Sequence, residues 1–125
     1  VTRQSLNVFV PMETLRDYIY VDDAAAMVRR LVESAVHNQP STPVVRNISS
    51  QRAVSVCGVV RTVQQVAHRS VRIALGTSQS SRYHVRDLRL RTQFPNEFHG
   101  VPITPFPVTV KRVYDDVLRQ QAVPG

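Results

Sequence analysis

The segment R-D-Y-I-Y-V-D-D, Arg16 to Asp23, constrains the fold of this chain more than any other stretch. A charged pair, an apolar run and two carboxylates lead without a break into an alanine-rich stretch at residues 24–36. Tyr, Ile and Val suit a pleated, half-buried surface, so residues 17–21 are expected to form a strand. A carboxylate accepts from the orphan amides of a first helical turn, so Asp22 or Asp23 is expected to cap a helix. Ala24, Met27, Val28, Leu31 and Ala35 then recur at helical spacing, with Arg29, Arg30 and Glu33 toward water. That helix should end near His37 or Asn38, ahead of Pro40.

The rest of the chain alternates in the same way. Residues 5–10 read as a strand stopped by Pro11, and residues 12–15 as a loop. Residues 39–43, Q-P-S-T-P, form a loop, residues 44–48 a short apolar strand, and residues 49–52 a turn. Ser55 is placed to cap a second helix whose stripe is Val56, Val59, Val60, Val63 and Ala67. So many valines would suit a strand, but their spacing is helical. Residues 71–75 are expected as a fourth strand and residues 76–81 as a polar loop. Residues 87–93 read as one or two helical turns capped by Asp87. Residues 94–107 hold four prolines and exclude a long regular element. Pro107 suits the first turn of a last helix, with Val110, Val113, Tyr114 and Val117 on one face. The sum is an α/β or α+β unit with short strands and about three main helices.

At 125 residues the chain is a single domain's worth, and its 42% hydrophobic content fits a globular class. No apolar run approaches the ~20 residues that span a bilayer. Arg3, Gln4 and Asn7 interrupt any signal-peptide pattern, and the first residue is Val rather than Met. A lone cysteine, Cys57, excludes an internal disulfide and reads as a small buried hydrophobe; a reducing, cytoplasmic compartment is the expectation. The net charge of +7 comes from 15 arginines and one lysine against nine acids. The arginines are scattered, and only residues 82–91 are dense, with four in ten positions. That density leaves open a basic, non-enzymatic binding module for nucleic acid or anionic ligands. Only Tyr83 and Phe94 accompany it, too few for a stacking platform, so nucleic acid is the less favoured partner.

Chemistry-bearing patterns are mostly missing. His37, His68, His84 and His99 lack metal-ligand spacing; the first two fall in last turns of helices, and His84, in the basic loop, could meet a phosphate. Four glycines, Gly58, Gly76, Gly100 and Gly125, draw no phosphate-cradling pattern. Position 107, four before Lys111, is Pro, so no Tyr-x-x-x-Lys proton-transfer pair exists in this chain. No G-x-S-x-G elbow is present. For Asp22–Asp23, capping outweighs a paired-carboxylate site. Arg16–Asp17 has two open readings: a guanidinium held near a pocket for a diphosphate, or a surface ion pair.

R-D-Y-I-Y-V-D-D followed by a helix resembles the C-terminal part of the extended short-chain dehydrogenases/reductases, the NAD-dependent nucleotide-sugar epimerases and dehydratases. The pattern there is R-D-[YF]-[IV]-[YH]-V-x-D, with an aromatic about where Phe9 stands. V-V-R-N-I-S-S at 44–50, with Asn47, is similar to the family's later Asn-containing strand. R-D-L-R-L-R-T-Q-F at 86–94, with Asp87, is similar to a following Asp-containing turn. The resemblance implies a Rossmann-type α/β protein of which residues 1–125 are a single substrate-binding fragment, the dinucleotide-binding region lying N-terminal to it. It implies a nucleotide-sugar substrate, with Arg16 on the diphosphate and Phe9, Asn7 and Val8 lining the base pocket. It implies NAD or NADP for the parent enzyme and neither cofactor nor catalysis in this fragment alone. It also implies an uncovered apolar face that docks the Rossmann region, or self-associates without it. The chain departs from the pattern at Val10, Pro11 and Met12, where many members have G-D-G. Thr77 and Ser80 stand where an Arg and an acid usually clamp diphosphate and ribose; Arg82 is the available replacement.

Overall fold

The computed structural model describes residues 5–76 and 85–123. Its elements are β1 (Ser5–Val8), β2 (Leu15–Asp17), α1 (Val21–Asn38), β3 (Ala53–Ser55), α2 (Val56–Ala67), β4 (Arg72–Leu75), a 3-10 turn (Pro95–Phe98) and α3 (Phe106–Ala122). The expected α/β class, with short strands and three main helices, is what forms. The strands make two small sheets, β1 parallel to β4 and β2 antiparallel to β3. The registers pair Asn7 with Ala74 and Val8 with Leu75, and Arg16 with Val54.

Pro11 ends the first strand region by starting a turn, in which Thr14 N donates to Pro11 O at 3.0 Å. That turn caps α2. Val56 N donates to Thr14 O and Cys57 N to Met12 O, both at 2.9 Å. Gly58 N donates to Ser55 Oγ at 3.0 Å, the expected Ser55 cap. Three orphan amides of the first turn are thus satisfied by the chain itself.

The second strand lies earlier than the sequence suggests. It is Leu15–Asp17 rather than 17–21, and helix begins at Val21 with Tyr20 as the residue before it. Tertiary packing overrides strand propensity here. Tyr18 packs on Phe106 with ring centroids 5.7 Å apart, and the Arg112 guanidinium lies 5.1 Å from the Tyr20 ring centroid. Neither Asp22 nor Asp23 is the cap. Asp23 Oδ2 accepts from Thr104 N at 2.7 Å and Oδ1 from Thr104 Oγ1 at 2.9 Å. The carboxylate, 8% exposed, therefore tethers the proline-rich segment before α3 to α1.

Residues 44–48 form no strand, and among the described residues they make no backbone–backbone hydrogen bond. A strand exists only as part of a ladder, and here no neighbour supplies one. Val45 is left 80% exposed. The unpredicted β3 fills the place beside β2 instead. Residues 87–93 are not helical either: Asp87 bridges Leu15, with Leu15 N on Arg86 O at 2.8 Å and Leu88 N on Leu15 O at 3.1 Å. Asp87 takes both ends of the Arg89 guanidinium, at 2.8 and 2.6 Å, and this hydrogen-bonded charge pair raises the Arg89 pKa. Pro107 lies in the first turn of α3 as expected, but Val113 and Val117 are exposed, and the covered side carries Phe106, Val110 and Tyr114.

Burial is thin. Met27, 3% exposed, is the one hydrophobic side chain among the described residues that is fully buried. Along α1, Val21, Val28, Val32 and Val36 lie on one face and all are exposed.

Candidate functional site

Arg16 lies in the middle of β2, flanked by β3 on one edge and by residues 86–88 on the other. Antiparallel pairing with Val54 fixes its backbone, so its side chain leaves from a defined point. The guanidinium donates through Nη1 to Leu15 O at 2.9 Å and to Val85 O. The next residue, Asp17, accepts from Ser50 N at 2.8 Å and Ser50 Oγ at 2.9 Å. Arg16 and Asp17 therefore point to different partners, and the surface ion-pair reading of the two does not hold. Among the described residues, the buried Oδ2 atom of Asp17 has no partner, nor does Thr14 Oγ1.

Asn7 and Val8 lie on β1 and Phe9 just beyond it. Asn7 is exposed, Val8 half-buried, and Phe9 50% exposed. The parallel pairing continues past Leu75, with Gly76 N donating to Val8 O at 2.9 Å. This brings Phe9 against Gly76. A Cβ on Gly76 would stand 2.9 Å from both Cδ1 and Cε1 of the ring.

Phe9 thus touches the residue before positions 77–84, and Arg16 touches the residue after them. The aromatic and the arginine therefore stand at the two residues that flank positions 77–84, which the sequence alone could not reveal. Arg82, Thr77, Ser80 and His84 fall among those positions, outside the described residues. Gly76 is the contact sequence reading missed. Its signal was a glycine directly after a strand, which often marks close approach of another group.

Surface hollows among the described residues lie away from this pair. A groove of about 660 Å³ runs between the start of α1 and α3, lined by Val21, Val113 and Val117 together with Asp22, Asp115, Asp116, Arg112 and Arg119. A smaller one of about 270 Å³ holds Arg46, Asn47 and Arg91. There the Arg46 guanidinium stacks 3.7 Å from the Phe94 ring centroid and pairs with Glu97 at 2.7 Å. Asn47 therefore lines a separate hollow from Phe9 and Arg16.

A dinucleotide would need helix amides for its pyrophosphate. The α2 amides are taken by Met12, Thr14 and Ser55, and α1 carries Asp22 and Asp23 in its first turn. Pro107 lacks an amide at the start of α3. The helix starts described here do not fit that group. Among the described residues no cluster of three or more His, Cys, Asp or Glu could hold a metal ion, and no helix is long and apolar enough to cross a membrane.

No protein-family model and no curated protein matches the sequence. Solved structures do. The chain is similar to a UDP-N-acetylglucosamine 4-epimerase from Methanobrevibacter ruminantium, with a TM-score of 0.76 at 12% identity over 94% of this chain and 36% of that one. A UDP-glucose 4-epimerase from Thermotoga maritima gives 0.72 at 17% identity, again over 94% of this chain and 36% of that one. A GDP-L-fucose synthetase from Naegleria fowleri gives 0.63 at 19% identity, over 94% and 35% respectively. The chain thus spans about a third of the length of the structures it resembles. Its α/β fold is that of the matched portion of these Rossmann-type epimerases.

Proposed function

We propose that this chain is the substrate-binding part of an NAD(P)-dependent epimerase or dehydratase that acts on a nucleotide sugar. The observation that carries the proposal is that Phe9 and Arg16 touch the two residues that flank positions 77–84, on a fold shared with nucleotide-sugar epimerases. Phe9, with Asn7 and Val8 beside it, receives the base. Arg16, whose planar fork matches phosphate oxygens, receives the diphosphate. Arg82, among the intervening positions 77–84, is the second cation. The nucleotide cofactor and the proton-transfer groups belong to an α/β region outside this chain, so the chain alone binds and does not turn over.

Two features support that missing partner. The valine face of α1 is uncovered, and a patch of that kind on a soluble protein marks an interface. Val44, Val45 and Ile48 are apolar, and among the described residues 44–48 make no backbone–backbone hydrogen bond, as a strand does not when its sheet lies in another part of the molecule. Charge counts against the nucleic-acid alternative. Among the described residues Arg29, Arg46, Arg89, Arg119 and Lys111 already pair with carboxylates.

The test is calorimetric titration of the 125-residue chain with UDP, GDP and inorganic pyrophosphate. We expect a nucleoside diphosphate to bind and Arg16→Ala to weaken it roughly tenfold or more, the order of one charge-assisted contact. Arg16→Lys should not restore it, because an ammonium lacks the fork. Absence of nucleotide binding, combined with salt-dependent affinity for duplex DNA, would replace this reading with the basic-module one.

A further inference from the structure

Glycine serves three different purposes in this chain. Gly100 has φ of +84°, a conformation side chains resist. Gly58 makes room for Val54, whose Cγ1 would lie 2.9 Å from an added Cβ. Gly76 makes room for Phe9: among the described residues, the atoms nearest its notional Cβ are Cδ1, Cε1 and Cζ of that ring. Gly76 is not among the glycines with positive φ, so its backbone would accept any side chain. What position 76 uses is the lack of bulk. The Gly76 amide is bound to Val8 O at 2.9 Å, which fixes the backbone relative to β1. An added methyl group could therefore be relieved only by moving the ring, since carbon atoms pack at roughly 3.5–4.0 Å.

We propose that Gly76 is a positioning residue for base recognition. By offering no side chain, it lets the Phe9 ring rest across the end of the β1–β4 pair with half its surface open. The open part takes the planar heteroaromatic ring of a nucleoside diphosphate. This rests on the substrate-binding reading above and adds to it the residue that sets the ring's place. Gly76 touches no ligand itself.

The experiment uses the full 125-residue chain in four forms: wild type, Gly76→Ala, Phe9→Ala and the double variant. UDP is titrated into each by ligand-observed NMR, with inorganic pyrophosphate as the probe that lacks a base, and each form is melted thermally. Gly76→Ala should weaken UDP roughly tenfold, the order of one base–aromatic stack, and leave pyrophosphate unchanged. In the Phe9→Ala background the same substitution should cost nothing further, in affinity or in melting temperature, because the clash has gone. An unchanged UDP affinity in Gly76→Ala overturns the proposal. So does an equal loss with and without the Phe9 ring. If Gly76→Ala fails to fold, recovery of folding in the double variant supports the proposal, and failure to recover overturns it. Wild type that binds pyrophosphate but not UDP refutes base recognition as a whole, an outcome distinct from a failure of Gly76 alone.

Discussion

Replacing Asp23 by Ala removes both hydrogen bonds that hold Thr104 against α1, at 2.7 and 2.9 Å. Each is made to a carboxylate that is only 8% exposed, and hydrogen bonds to charged groups contribute about 1.5–3 kcal/mol. The variant also leaves the Thr104 amide without its acceptor. The expected loss is about 3–5 kcal/mol, a large part of the roughly 5–15 kcal/mol that keeps a domain folded. At about 4 °C per kcal/mol for a chain of this size, the melting temperature should fall by roughly 12–20 °C. Asp23→Asn keeps one acceptor and should lose about half as much. Asp22→Ala is the control. That residue is exposed and serves only the helix dipole, so its loss should stay below about 1 kcal/mol. The assay is thermal unfolding followed by circular dichroism at 222 nm on the order of tens of micromolar protein, with reversibility checked. Equal losses for the Asp22 and Asp23 variants would refute the tether and restore the sequence-based view that these carboxylates merely cap the helix.

Two further outcomes follow from packing. Replacing Val28 and Val32 by Glu should reduce self-association in light scattering, with the melting temperature held within a few degrees, because both side chains are exposed on α1; unfolding instead would show that face to be covered in this chain. Gly58→Ala should cost about 1–3 kcal/mol despite the higher helix propensity of Ala, since the new Cβ meets Val54 Cγ1 at 2.9 Å and Ser55 Oγ at 3.3 Å; a stabilised variant would refute that account.

Local chemistry was legible in the sequence where it decides the outcome, and not where a distant partner does. Ser55 followed by a valine stripe at helical spacing predicts both the cap and α2, and both form. Pro107 predicts the start of α3 because its fixed φ suits a first turn. Residues 17–21 misled because Tyr18 and Tyr20 look like strand residues but are claimed by Phe106 and Arg112, far along the chain. Residues 44–48 have a strand's composition and lack a strand's neighbour. Asp87 resembled a cap, yet the β2 edge and Arg89 take it. At the candidate site, the R-D motif and the preceding aromatic singled out Arg16 and Phe9. Their placement beside Gly76 and Val85, on either side of positions 77–84, depends on two strand pairings, and no local pattern encodes it.

The unpaired stretch at 44–48 has a cost for any cell that makes this chain by itself. Val44, Val45 and Ile48 are β-branched, carry no acid, and sit in a backbone with no ladder to occupy it. An open apolar backbone of this kind is a template on which another strand can pair. Arg46 is the one charge within it, and its pairing with Glu97 and stacking on Phe94 draw it away from gatekeeper duty. The longer those five residues stay uncovered during folding, the more the chain is exposed to such pairing.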